Sequence, residues 1–329
     1  MTRLPRHRLL AGLTATLFAL PAMAFSGPEI YPGEKALYNA AAKEGIVVSF
    51  DTGPEWANWK SLFKAFKDRY PEVELTYNDL GSAATVVALD KTRRRPQADT
   101  AYYFAASAVD ATSKGVVEGY KPVNFDKLTP VFRDASGRWF TVHSLNVAFL
   151  VNKKLVKNSP QSWADLLKPE YKGKIVMPNP ASSGTGFLDV SAWLQTFGEK
   201  QGWQYMDDLH QNIGQYVHSG SKPCKLAAAG EFPIGISFEY PAVQLKRQGA
   251  PLDIIQPKEG LGWDIEATAI MKGTKNLAAA QKLADFAASR EANELYEKNF
   301  AVVAMPGVAK PSPHIPADYA QRLVKNDFG

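Results

Sequence analysis

The chain has 329 residues, 45% hydrophobic and 22% charged, with 38 Lys and Arg against 33 Asp and Glu. Three of the arginines fall within the first eight residues, so the remainder carries only a small positive excess and offers no electrostatic case for nucleic acid. The single cysteine, Cys224, excludes an internal disulfide and a cysteine-cluster metal site, and the five histidines show no HExxH pair or other ligand spacing.

Arg3, Arg6 and Arg8 precede an apolar run at 9–20 and the small residues Ala22-Met23-Ala24. That order predicts a secretory signal peptide over 1–24, cleaved after Ala24, and hence a periplasmic protein. The run is shorter than the roughly 20 residues that span a bilayer. No cysteine follows it, so no lipoprotein anchor is expected, and Cys224 is expected to be buried in an oxidising compartment.

The rest is long enough for two domains. GIVVSF at 45–50 reads as a buried strand. Trp59, Phe63, Phe66 and Tyr70 recur at helical spacing, so 55–69 reads as an amphipathic helix stopped by Pro71. A strand at 73–77, a helix at 81–92, a strand at 98–104 and a helix at 107–114 complete a βαβαβ pattern, which implies a parallel sheet covered by helices. Two extended runs, RWFTV and LNVAFLV within 138–151, leave no room for a helix between them and are read as carrying the chain between lobes. A short helix at 163–167 follows a Ser162 cap.

The alternation then restarts: strand 174–177, helix 184–197, helix 203–213, strand 215–217, helix 221–229, strand 232–238, helix 241–248 and strand 252–256. A last crossing strand is predicted at 265–271, with helices at 276–288 and 290–299. The fold class is therefore α/β, with two lobes and a cleft between them. Lobe 1 comprises 25–142 plus 266–329, and lobe 2 comprises 143–265.

In open α/β sheets, ligands sit beyond the carboxyl ends of strands, so the loops that follow strands hold the candidates. The sharpest contains Ser182, Ser183, Gly184, Thr185 and Gly186. It joins a strand to an amphipathic helix, where free backbone amides, hydroxyls and close-approach glycines suit an oxyanion. An ordinary capped helix start has the same spacing. Ser219, Gly220, Ser221 and Lys222 form a similar strand-to-helix loop, or a plain solvated Ser-Gly turn. In the first lobe Asp51, Glu55, Ser82 and Tyr102 lie after strands. Glu239-Tyr240 and Trp263-Asp264 each pair an aromatic with a carboxylate, which can hold an ammonium by ion pairing and cation–π attraction or can simply pack. No nucleophile elbow or triad motif is present, so an enzyme is not expected.

SWADLLKPEYKGKIVMPNP at 162–180 resembles the periplasmic solute-binding proteins of ABC importers, in the structural class that includes iron, polyamine and thiamine binders. MPNPASSGTGFLDVSAWLQ (177–195), HSGSKPCKLAAAGEFPIGISFEY (218–240), GLGWDIEATAI (260–270) and KNFAVVAMPGVAKP (298–311) resemble the binding proteins for 2-aminoethylphosphonate. The resemblance implies a monomeric type II periplasmic binding protein without cofactor, closing on a small zwitterion and delivering it to a membrane permease. It assigns the phosphonate to 182–186 and 219–222. The ammonium falls to Glu239, Tyr240 or Asp264, with Asp51, Glu55 or Tyr102 opposite. Pro241 after Tyr240 argues against the adjacent tyrosines of iron binders. The alternatives are another small ligand (a polyamine, a phosphate ester, thiamine or ferric iron) or an exported phosphonate or phosphate-ester hydrolase.

Overall fold

A computed structural model describes residues 27–53, 59–128, 130–308 and 318–326. The expected signal segment and Glu55 lie outside the described residues. In chain order the elements are α1 (Glu34–Glu44), β1 (Ile46–Phe50), α2 (Trp59–Arg69), β2 (Glu74–Asn78), α3 (Ser82–Thr92), β3 (Thr100–Phe104), α4 (Ala105–Ser113), β4 (Val117–Glu118) and β5 (Phe140–Asn152). They continue with β6 (Ile175–Pro178), α5 (Gly184–Phe197), α6 (Glu199–His210), β7 (Ile213–Val217), α7 (Lys222–Ala229), β8 (Ile234–Phe238) and α8 (Glu239–Arg247). The last are β9 (Leu252–Ile255), β10 (Trp263–Met271), α9 (Leu277–Ala287), α10 (Arg290–Lys298), β11 (Val302–Val303) and α11 (Tyr319–Arg322).

The strands join in the order β2-β1-β3-β10-β5-β8-β6-β7. Each end is parallel, with β1 between β2 and β3 and β6 between β7 and β8, as βαβ connections require. The centre is antiparallel, where β10 pairs with β3 and β5 and β5 pairs with β8. Strand β5 is buried at all thirteen positions. Its first half pairs with β10 and β11, and Val147–Val151 pairs with β8. The two extended runs expected around 138–151 are therefore one continuous strand, a correction with a simple cause. Asn146, the polar residue in mid-run, satisfies its side chain on Glu239 at 2.7 Å, so no turn is needed to bring it to water.

A second correction concerns the helix expected at 203–213. Helix α6 begins four residues earlier, directly after Gly198 (φ 79°), and ends at His210 because Ile213 opens β7. The short turn at 164–167 does take Ser162 as its cap: the Ser162 hydroxyl accepts from the Asp165 amide at 3.1 Å.

Helix α1 was not anticipated. It is anchored through a buried carboxylate on the same face as the short apolar stripe of Tyr38 and Ala41. Glu34 is fully buried and accepts from Arg69 Nη2 at 2.8 Å, from the Ile30 amide at 2.7 Å and from the Tyr70 hydroxyl. Burial alone raises its pKa, but Arg69 and Tyr70 outweigh that and hold it below the usual carboxylate value. Lys282 of α9 donates to the Glu34 carbonyl and to Tyr31, both at 2.8 Å, and burial brings its ammonium down to about 8. Helix α10 starts at Ser289, whose side chain accepts from the Ala292 amide at 3.1 Å. Removing such a cap costs about 1 kcal/mol. Ser289→Ala should therefore lower the unfolding free energy from chemical denaturation by that amount without changing ligand affinity.

Cys224 is buried on α7, where its Sγ lies 3.1 Å from Ser237 Oγ and burial pushes the thiol up to about 12. The last described segment lies along the start of β10. The Leu261 amide donates to the Arg322 carbonyl at 2.7 Å, the Val324 amide to the Leu261 carbonyl at 3.0 Å, and Trp263 Nε1 to the Val324 carbonyl at 2.9 Å. No helix among the described residues is long and apolar enough to cross a membrane.

Candidate functional site at converging helix starts

Four helices open within a few ångströms of one another, two from each half of the sheet. The start of α3 reaches the second half through Gly81, which has φ 83° and ψ 150°. A Cβ there would fall under 3.0 Å from the Ser182 carbonyl and 3.1 Å from His218 Cε1, so only glycine fits both the backbone and the approach. The start of α4 touches α5 through Phe104, whose ring occupies the space a Gly184 side chain would need. The loop before α7 meets α5 in the same way, since a Cβ on Gly220 would collide with Thr185. Phe104 and Ser82 are joined in turn, the Phe104 amide donating to Ser82 Oγ at 3.4 Å.

At the start of α5, Asn179 folds the entry: its side chain accepts from the Ala181 amide at 2.9 Å and its carbonyl from the Ser183 amide at 2.8 Å. Ser183 caps the helix by accepting from the Gly186 amide at 3.5 Å. The amides of Gly184 and Thr185 have no acceptor among the described residues, as expected of a first turn. Thr185 Oγ1 is buried and also without a partner. Ser219 and Ser221 share a hydrogen bond at 3.3 Å, and Ser237 donates to the Gly220 carbonyl at 2.5 Å, which fixes that loop. Lys222, expected to complete an anion clamp, is exposed at the first position of α7.

The expected ammonium ligands are placed differently from one another. Asp51, at φ 57°, accepts from the Gly81 amide at 2.8 Å and Ser82 Oγ at 2.9 Å. Asp264 accepts from the Ala105 amide at 3.3 Å, at the start of α4, and from the Ile265 amide at 2.6 Å. Glu239, the first residue of α8, accepts from the Asn146 amide at 2.9 Å and from its side chain. Burial pushes Asp51 up to about 8 and Glu239 and Asp264 up to about 7, against the lowering effect of these hydrogen bonds. Asp51 and Asp264 thus brace the starts of α3 and α4, and Glu239 ties the start of α8 to strand β5.

Tyr102 lies deeper. Its hydroxyl donates to Glu266 and lies 3.0 Å from His143 Nε2, which is 2.9 Å from Glu266. The Tyr240 ring stands edge-on to His143 at 5.5 Å, with its hydroxyl buried and without a partner. Sequence reasoning missed His143, Asn146 and Glu266. The available signal was polar residues set within largely apolar strands, His143 and Asn146 in β5 and Glu266 in β10.

Taken together, two α/β halves joined by crossing strands, with helix starts facing one another across the join, define the architecture of a type II periplasmic binding protein. The profile of the family described as bacterial extracellular solute-binding protein matches residues 99–327, and the chain belongs to that family. A solved periplasmic binding protein, AfuA from Actinobacillus pleuropneumoniae with fructose 6-phosphate bound, is 31% identical, covers 87% of this chain and 92% of its own, and superposes with a TM-score of 0.78. An uncharacterized protein of Haemophilus influenzae is 32% identical over 244 residues, 70% of each chain. A Salmonella typhimurium periplasmic protein with a proposed 2-aminoethylphosphonate-binding role is 26% identical over 150 residues, 45% of this chain and 43% of its own. The protein is a substrate-binding component of an ABC importer and not an enzyme.

Proposed function

We propose that the protein captures a small solute bearing a phosphoryl or phosphonyl group between lobe 1 (25–142 plus 266–329) and lobe 2 (143–265) and hands it, as a monomer, to a membrane permease. On this reading residues 1–24 are removed on export to the periplasm. The observation that carries it is Thr185 Oγ1, buried without a partner beside two unbonded amides where four helix starts converge. Macrodipoles and hydroxyls at such a point stabilise an oxyanion without needing a buried cation. Ser182, Ser183, Gly184, Thr185 and Gly186 would hold the anion from one side. Ser219, Gly220, Ser221 and Lys222 would hold it from another, with Ser82 opposite.

The first candidate is 2-aminoethylphosphonate, supported by the Salmonella relative and by carboxylates at Asp51, Glu239 and Asp264 able to take up an ammonium. Tyr102, Tyr240 and Glu55 complete that end of the assignment. A second reading, a sugar phosphate, is favoured by the fructose 6-phosphate in the 31% identical structure. Calorimetry on the purified mature chain with 2-aminoethylphosphonate, fructose 6-phosphate, inorganic phosphate, putrescine and ferric citrate separates these. Heat with one of the first two and none with putrescine or ferric citrate is expected. Tight putrescine binding alone would overturn the anion site.

A further inference from the structure

The loop between β7 and α7 starts one residue before the stretch assigned to the anion, with His218. This histidine reaches out of its own half of the sheet. The point at which Gly81 would carry a Cβ lies 3.1 Å from His218 Cε1 and 3.5 Å from His218 Nε2, so the ring leads with that edge. The same point lies under 3.0 Å from the Ser182 carbonyl. One spot at the start of α3 thus gathers the histidine ring and the first residue of the 182–186 loop. The other two described histidines are engaged, His143 with Tyr102 and Glu266 and His210 with Tyr216. His218 is exposed and makes no hydrogen bond or ion pair among the described residues. On the α3 side it faces Asp51, which accepts from the Gly81 amide and the Ser82 hydroxyl, and Asp79, two residues before Gly81. Its own strand and helix carry Tyr216, Lys222 and Lys225, and the 179–186 loop carries no charged or titratable side chain.

Resting on the phosphoryl or phosphonyl reading, we propose that His218 is a further ligand-binding residue, whose imidazolium donates from Nε2 to the bound oxyanion across the join. Helix starts and hydroxyls act on an anion through partial charges. A hydrogen bond from a charged ring is roughly twice as strong as a neutral one. An exposed ring also carries its charge without the desolvation cost of an interior cation. Because the ring comes from one half of the sheet and lies against a glycine of the other, it meets the anion where the halves meet. Histidine is the side chain whose charge ordinarily changes between pH 5 and pH 8. Its contribution to binding is therefore greatest at low pH, where the ring is charged, and fades as pH rises. A packing role alone, with the ring resting on Gly81, would be indifferent to that charge.

The test is calorimetry at pH 6 and pH 8.5 with 2-aminoethylphosphonate and fructose 6-phosphate, on the purified mature chain and on its His218→Asn and His218→Gln variants. An exposed residue without partners is replaced at little cost to folding, which the melting temperature checks. Variant and wild type are compared at the same pH, so the ligand's own ionisation cancels from the ratio of their Kd values. With the solute that binds, both variants are expected to be about five- to tenfold weaker than wild type at pH 6 and close to it at pH 8.5. A ratio that is the same at the two pH values, or wild-type affinity at pH 6, overturns the role of His218 and leaves the anion site standing. No heat with either solute on the wild-type chain overturns both.

Discussion

Replacing Gly184 by alanine leaves the unliganded protein folded and weakens ligand binding by about five- to a hundredfold. Gly184 opens α5, and its φ is not in the left-handed region, so alanine meets no backbone obstacle and is the better helix former. The obstacle lies across the join. An alanine Cβ would lie 2.6 Å from Phe104 Cε2 and closer still to its neighbour in the ring, while Phe104 is itself buried and bonded through its amide to Ser82. Relieving the clash means either displacing a core aromatic, at about 1–3 kcal/mol, or holding the halves apart. On the proposed closing of the lobes around the solute, the energy is withdrawn from the state in which the halves meet, and tenfold in affinity corresponds to about 1.4 kcal/mol. The measurement is Kd by calorimetry beside the melting temperature without ligand. An unchanged Kd would mean that the two halves do not meet at Gly184 when ligand is bound.

The second large effect concerns stability against pH. Asp189 lies one turn beyond Thr185 on α5, fully buried, with neither carboxylate oxygen hydrogen-bonded. Burial holds its pKa well above the usual value, whereas an aspartate in the unfolded chain ionises near about 4. The folded state therefore keeps a proton that the unfolded state has released. Stability is greatest below the unfolded pKa and falls as pH rises towards the folded one, by up to about 1.4 kcal/mol per pH unit. Asp189→Asn removes this dependence. The variant should match or exceed the wild type at pH 8, and its advantage should shrink as the pH approaches 4. Urea midpoints at pH 5 and pH 8 read the difference directly. Identical pH slopes for the two proteins would mean that Asp189 is not neutral in the fold.

Much of the fold is legible from residue pattern because its strands are short, apolar and punctuated by turns. GIVVSF, VELTY and the run ending at Phe104 each lie within two residues of a strand in the structure. What the pattern could not convey was tertiary. Helix α1 depends on Glu34 meeting Arg69 and Tyr70, partners that are distant in sequence. Strand β5 looks like two segments until Asn146 is given its partner on α8.

The site divides in the same way. Loops after strands were identifiable from glycines and hydroxyls, and the structure brings Ser182, Gly184, Thr185 and Gly220 together with Gly81 and Phe104. The acidic residues were read as either ammonium ligands or packing groups, because sequence shows a carboxylate's charge but not its neighbours. The structure supplies those neighbours, since Asp51, Asp264 and Glu239 accept from amides of other elements.

The buried thiol on α7 gives the molecule an internal reporter. A residue that ionises only near 12 and is sealed against Ser237 reacts slowly with alkylating reagents while its surroundings stay packed. Labelling at Cys224 therefore counts the moments at which the α7–β8 unit comes apart. A saturating solute that holds the halves together would protect that sulfur in proportion to its occupancy.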